Sequence, residues 1–224
     1  MGSAPEVVLL DIEGTTTDIS FVHDVLFPLS RRALPEYIAE HWNDDEVRDA
    51  REATGASDIG GLIEHLTAWI DADRKEPTLK AIQGKIWRGA FESGQVKSHV
   101  YPDVPVAFQR WKARGIRIAI FSSGSIEAQE LLFRHSEQGD LTGFLSGYFD
   151  PTTAGPKREV RAYEAILRAL GTRQVAFLSD VTAELDAART AGLSTWQLLR
   201  PGVADDAGST HPKVSTFAPD ELGF

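Results

Sequence analysis

Val7-Val8-Leu9-Leu10-Asp11-Ile12-Glu13-Gly14-Thr15-Thr16 is the stretch whose reading decides the fold. Its apolar run is four residues long, β-branched at its start, and stops at an acid. A buried helix needs more residues, so the run predicts a strand covered on both faces, as in a parallel sheet. Similar runs recur at residues 116–121, closing on Ser122-Ser123-Gly124, and at 175–178, closing on Ser179-Asp180. A fourth candidate strand is 195–199. Between them Val104, Ala107, Phe108 and Trp111 repeat at helical spacing, as do Val160, Tyr163, Ile166, Leu167 and Leu170. Gly115 and Gly171 stand where helix C-caps belong. Strand and helix alternate, which predicts an α/β fold with a doubly wound parallel sheet. Ligands of such sheets bind beyond the carboxyl ends of the strands, where Asp11, Ser122 and Asp180 fall.

Residues 18–100 read differently. Leu26/Leu29/Ala33/Tyr37, Leu62/Ile63/Leu66/Trp69/Ile70 and Leu79/Ile82/Ile86/Ala90 all show helical periodicity, with no strand among them. Asp44-Asp45-Glu46 and Gly60-Gly61 read as breaks between helices. The expected organisation is a core of residues 1–17 and 101–224 with an inserted helical cap at 18–100. The tail beyond Pro201, with Asp205-Asp206, Gly208 and two prolines, is expected to be mostly loop.

Composition narrows the class. The 224 residues carry 23 basic and 33 acidic side chains, a net charge of −10, so a nucleic-acid partner is not expected. With no cysteine there is no disulfide, no thiolate zinc site and no cysteine nucleophile. No apolar run reaches membrane-spanning length. The start, Met1 to Glu6, lacks the basic and apolar regions of a signal peptide, and Glu6 breaks the myristoylation pattern. Asn43, the only asparagine, is followed by two aspartates and is no glycosylation acceptor. The expectation is a cytoplasmic protein without a membrane partner. The charge is uneven: residues 36–76 hold twelve acids against four bases, while 80–97 hold Lys80, Lys85, Arg88 and Lys97 against Glu92 alone. The acidic stretch suits a solvated outer face and the basic one a cleft for an anion.

Asp11 and Glu13, two carboxylates at i and i+2 on a strand end before a glycine, can share one cleft. Asp11 suits a nucleophile or metal ligand, and Glu13 a proton donor and acceptor. Taken alone, the pair reads better as helix N-cap or turn acids. Ser122-Ser123-Gly124-Ser125 offers hydroxyls and amides to a phosphate oxygen, or simply caps a helix. Lys157, after Gly155-Pro156, can neutralise a phosphoryl group, although most loop lysines are only solvated. Asp180, with Glu184 at i+4, can join Asp11 around a hard cation. Each signal is weak or moderate. Four in order at strand ends point to chemistry on phosphate.

Asp11-Ile12-Glu13-Gly14-Thr15, Ser122-Ser123-Gly124, Lys157 and Asp180 together resemble the four motifs of the haloacid dehalogenase superfamily of phosphohydrolases. Glu13, where the usual first motif has Asp, and the Thr15-Thr16-Thr17 run are similar to one branch, the enolase-phosphatases of methionine salvage, or acireductone synthases. Ile86-Trp87-Arg88-Gly89 and the stretches 97–104, 122–129 and 177–182 carry the same resemblance, with Ser179 where Thr is expected. It spans residue 7 to about 202. The resemblance implies a haloacid-dehalogenase-like core with an inserted cap. It implies conversion of 2,3-diketo-5-methylthiopentyl-1-phosphate to acireductone by enolisation, then Mg²⁺-dependent dephosphorylation through an aspartyl-phosphate.

In that scheme Asp11 and Glu13 are catalytic, Ser122, Ser123 and Lys157 bind the phosphoryl group, and Asp11, the Glu13 carbonyl and Asp180 hold Mg²⁺. Glu184 supports the metal site from behind. The enolisation base stays open between Glu13, a cap residue and a metal-bound hydroxide. Trp87 and Phe91 are expected to pack within the cap rather than line a methylthio pocket. The six histidines, at no metal-ligand spacing, are expected on the surface or in packing roles, His99 lying nearest the hinge. Two other readings compete: a simple sugar-phosphate or phosphoglycolate phosphatase, and a silent ligand-binding domain. The expected partner is a small phosphorylated molecule, and the expected state a monomer.

Overall fold

Six parallel strands form one sheet in the order β3-β2-β1-β4-β5-β6. They are β1 (Val7–Leu10), β2 (Arg117–Phe121), β3 (Leu145–Phe149), β4 (Val175–Ser179), β5 (Ser194–Leu198) and β6 (Lys213–Val214). The computed structural model describes residues 4–74 and 76–224. Met1, Gly2, Ser3 and Lys75 lie outside the described residues, and with them the start of the N-terminal segment and one base of the 36–76 stretch. Two compact units result: Met1–Ile19 with Ser98–Phe224, and Ser20–Lys97.

In the sheet unit, β1 is central and all four of its residues are buried. Alternate side chains serve opposite faces. Val8 and Leu10 join the cluster of Val104, Phe108 and Trp111 from α5 (Asp103–Ala113). Val7 and Leu9 join Tyr163 and Ile166 from α7 (Val160–Leu170) and Leu185 from α8 (Thr182–Thr190). Burying each such side chain contributes roughly 1.5–3 kcal/mol relative to exposure. Gly171 ends α7 in the left-handed conformation, as its position predicts. The register sets Leu10 beside Ile120 on one side and Leu178 on the other. Asp11 is therefore delivered between the ends of β2 and β4.

Two strands escape the sequence reading, β3 and β6, and both are edges. The tail is also more ordered than expected. It holds β6 and the short α9 (Pro219–Leu222), and Phe217, Leu222 and Phe224 are buried. The Phe217 ring centroid lies 5.5 Å from that of Trp111, so the segment closes the α5 face of the core.

The second unit is helical: a π-helical turn (Phe21–Leu26), then α1 (Phe27–Glu40), α2 (Asp45–Thr54), α3 (Ile59–Asp71) and α4 (Pro77–Glu92). Leu34, Ile38, Val47, Leu62, Leu66 and Ile82 form its core. The acidic stretch is a break only at Asp44, which precedes α2; Asp45 and Glu46 already lie in the helix's first turn. Gly60-Gly61 is not one: both residues lie in the first turn of α3, where Asp58 caps the helix by accepting from the Gly61 amide. The turn is made at Gly55, at φ 71°. Trp87 packs inside this unit, its indole N–H 2.7 Å from Ser30 Oγ and 3.2 Å from the Leu26 carbonyl, and Phe91 is buried. Among the described residues no helix is long and apolar enough to cross a membrane. The remaining sheet-unit helix, α6 (Ile126–Arg134), follows the serine-rich turn after β2.

Candidate active site

Beyond Leu10 the chain leaves the sheet through one tight turn. The amides of Thr15, Thr16 and Thr17 all point at the Ile12 carbonyl, at 3.1, 2.9 and 2.9 Å, while the Gly14 amide donates to Thr17 O. Gly14 has φ 70°, and a Cβ there would stand 2.4 Å from Asp180 Oδ2. Only glycine meets both conditions. All three threonine side chains are buried; Thr16 Oγ1 reaches back to the Asp11 and Ile12 carbonyls, whereas Thr15 Oγ1 has no partner. Thr17 Oγ1 donates to the His99 carbonyl, and His99 Nδ1 accepts from the Asp18 amide, so His99 has a local backbone role.

The turn directs Asp11 and Glu13 into one site. Asp11 Oδ1 lies 2.6 Å from Lys157 Nζ and 2.8 Å from its neighbour Ile12 N. Asp11 Oδ2 lies 3.0 Å from Ser179 Oγ. Lys157 is 2.7 Å from Glu184 Oε2 as well, so one buried ammonium bridges two buried carboxylates. Glu13 Oε2 lies 3.3 Å from Ser122 Oγ. Ser122 is buried and its hydroxyl also accepts from the Gly124 amide, whereas Ser123 is exposed on the turn. Ser125 has the ordinary role, accepting from Ala128 N at the start of α6.

The charges explain one another. Burial, then the Asp11 carboxylate, raises Glu13 above the usual carboxylate range, which favours its protonated form. The same two causes, in the same order, push Asp180 and Glu184 each up to about 7. Burial opposes the charge on Lys157, but Asp11 and Glu184 more than reverse this and hold its ammonium above the normal lysine range. Four carboxyl groups share one cation, and the buried Asp180 Oδ1 has no partner. Hard oxygen donors in carboxylate excess, one of them unsatisfied, fit a divalent cation such as Mg²⁺. Among the described residues no three histidine or acid side chains converge on a metal point, so such a cation would draw on main-chain oxygen and ligand as well.

Three buried side chains that sequence reasoning missed hold the strand-end loops. Gln129 donates to the carbonyls of Gly124 and Phe149, both at 2.9 Å, fixing the serine turn to β3. Gln197 Nε2 lies 3.5 Å from the Asp180 carbonyl and 3.4 Å from Thr182 Oγ1. Arg200 Nε donates to the Thr15 carbonyl at 2.9 Å. Only Arg200 left a sequence signal, a charge closing an apolar strand run.

A carboxylate clamped by lysine at the carboxyl end of a central parallel strand, with a second carboxyl two residues on, is the kind of site a hydrolase of a parallel-sheet fold carries. The chain belongs to the haloacid dehalogenase-like hydrolases, the family model matching residues 5–192. Its curated relatives include enolase-phosphatase E1 of Sorangium cellulosum (strain So ce56), 56% identical over 220 residues, covering 94% of each chain. Enolase-phosphatase E1 of Pseudomonas aeruginosa (strain LESB58) is 48% identical and aligns over 95% of this chain and 96% of its own. Among solved structures, the UTR4 protein of Saccharomyces cerevisiae superimposes with a TM-score of 0.81 at 36% identity, covering 95% of this chain and 98% of that one.

Proposed function

We propose that the chain is a bifunctional enolase-phosphatase of methionine salvage. On this reading it enolises 2,3-diketo-5-methylthiopentyl-1-phosphate and then removes the phosphate to leave acireductone. The observation that carries it is the Lys157-clamped Asp11 beside a Glu13 that burial favours in its protonated form. An Asp11 oxygen attacks phosphorus, and the bond from phosphorus to the substrate oxygen breaks. Glu13 gives its proton to that leaving oxygen. The Glu13 carboxylate then takes a proton from water, whose oxygen attacks the aspartyl-phosphate and releases inorganic phosphate and Asp11.

Ser122, the neighbouring Ser123 turn and Lys157 stabilise the charge on the phosphoryl oxygens. Asp11, the Glu13 carbonyl and Asp180 would hold Mg²⁺, which when bound offsets the carboxylate charge and polarises the phosphoryl group. Glu184 orients Lys157 and lies close enough to support the metal site. Residues 18–100 are the cap of this reading, and Lys85 and Arg88 its candidate anion-binding side chains. The partner is one small phosphorylated molecule, with no nucleic acid or membrane, and the protein works as a cytoplasmic monomer.

The test is turnover of the diketo phosphate followed by ultraviolet absorbance and phosphate release. The native chain should give both an enediol absorbance and phosphate. Glu13→Gln should release phosphate on the order of 10²–10⁴ times more slowly. Phosphate release with no enediol signal at any time would leave a simple phosphatase.

A further inference from the structure

We propose that Arg200 is a positioning residue for the acid–base turn, coupling the Glu13 loop to the C-terminal segment. Arg200 follows β5 by two residues and is only 4% exposed. Its Nε donates to the Thr15 carbonyl at 2.9 Å. Its Nη1 lies 3.0 Å from Asp103 Oδ1 and 3.2 Å from the Ser215 carbonyl. The guanidinium sits between two rings, its carbon 4.4 Å from the Tyr101 centroid and 4.8 Å from that of Phe217. Asp103 Oδ2 in turn accepts from the Phe217 amide at 2.8 Å, and the Tyr101 amide donates to Thr16 O at 3.0 Å. Two consecutive carbonyls of the turn are therefore gripped from outside it.

The turn is the part of the chain that orients Glu13, which bridges to Thr17 across it. With the amides of Thr15 to Thr17 committed to Ile12, the rest of the protein holds the turn through the Thr15 and Thr16 carbonyls and, at its end, through the Thr17 hydroxyl on His99. Space-filling does not explain an arginine here. A buried guanidinium is costly, and its Nη2 has no partner, so an aliphatic side chain between the two rings would be cheaper. What an aliphatic chain lacks is a donor aimed at Thr15. Lysine keeps the charge but not the planar fork, so it cannot satisfy Thr15, Asp103 and Ser215 together.

The proposal rests on Glu13 being the proton carrier, and the experiment separates the two. Steady-state kinetics on the diketo phosphate would be measured for Arg200→Lys, Asp103→Asn and Glu13→Gln, with melting temperatures for each. Small misplacements of a reacting group cost up to about 100-fold, so Arg200→Lys should lower kcat roughly 10- to 100-fold, with KM within about two-fold. Asp103→Asn removes the ion pair but leaves the Nε–Thr15 bond, and should retain most of kcat even where its melting temperature falls as far. Equal kcat losses in the two variants, or an Arg200→Lys that melts lower with native kcat, would overturn the proposal. If Arg200→Lys does not fold, Phe217→Leu loosens the guanidinium while keeping all its donors. Lower kcat at constant KM then supports the brace, and unchanged kcat overturns it. An active Glu13→Gln would instead remove the reading of Glu13, whatever Arg200 does.

Discussion

The two units handle charge in opposite ways. In the sheet unit Asp11, Lys157, Glu184, Arg200 and His211 are all buried. In the helical unit, among the described residues, the buried polar side chains are Ser30 and Gln83, neither charged. Ion pairs there, among them Arg31–Asp71, Arg48–Asp45 and Arg74–Glu76, stay largely in water. The difference follows from architecture. Amphipathic helices meet through apolar stripes and turn their charges outward. Parallel strands end together, and the loops beyond them converge with spare amides and carbonyls that can solvate a buried charge. Reactive groups with displaced pKa values therefore belong in the sheet unit. The helical unit holds 14 of the chain's 33 acids and, among the described residues, buries none of them.

The sharpest way to break this comparison is to remove the carboxylate proposed as nucleophile. Asp11→Asn should fold and lose activity by on the order of 10⁴-fold or more, read as phosphate release. Measurable turnover would show that the buried charges are structural. Next comes the clamp. Lys157→Met leaves Asp11 and Glu184 buried without their cation, and should cost about 3–5 kcal/mol of stability at pH 8 by denaturant unfolding. A cost below about 1 kcal/mol would place this pair with the surface ones.

A smaller effect comes from pH. In the metal-free protein Asp180 and Glu184 bind their protons up to about pH 7, whereas the unfolded chain releases them near 3.8 and 4.5. Their stabilisation is complete below about pH 4 and is lost as pH rises through 7, at of order 1 kcal/mol per pH unit for each group. In chelator the protein should melt higher at pH 5.5 than at pH 8, and Mg²⁺ should restore the loss at pH 8. A melting temperature that rises with pH, or is indifferent to Mg²⁺, would contradict the site as drawn. The smallest change should be in the helical unit, where Arg48→Ala removes an exposed pair and should cost less than about 0.5 kcal/mol.

Legibility in the sequence followed the same division. The central strands were readable because a strand buried on both faces must be a short, nearly continuous apolar run, as in Val-Val-Leu-Leu and Val-Ala-Phe-Leu. The edges were not. β3, Leu-Ser-Gly-Tyr-Phe, is only partly buried and carries serine and glycine, so its pattern fades into the flanking loops. α2 escaped because Asp-Glu-Val-Arg-Asp-Ala-Arg-Glu-Ala-Thr buries only Val47 and Ala50. The tail was read as loop because its apolar residues are separated by proline and glycine. Their burial depends on Trp111, more than a hundred residues away.

The sequence by itself determined where the chemistry had to stand. An acid that ends a buried strand is carried to the sheet's carboxyl edge, because backbone geometry leaves it nowhere else to go. Why residue 14 must be glycine was settled only by the fold, which brings Asp180 Oδ2 within 2.4 Å of where a Cβ would stand. Tertiary structure alone decided which groups meet. Lys157 reaches Asp11 across 146 positions and Arg200 reaches Thr15 across 185. Those meetings depend on strand order and loop closure, which local patterns of apolar and polar residues do not encode.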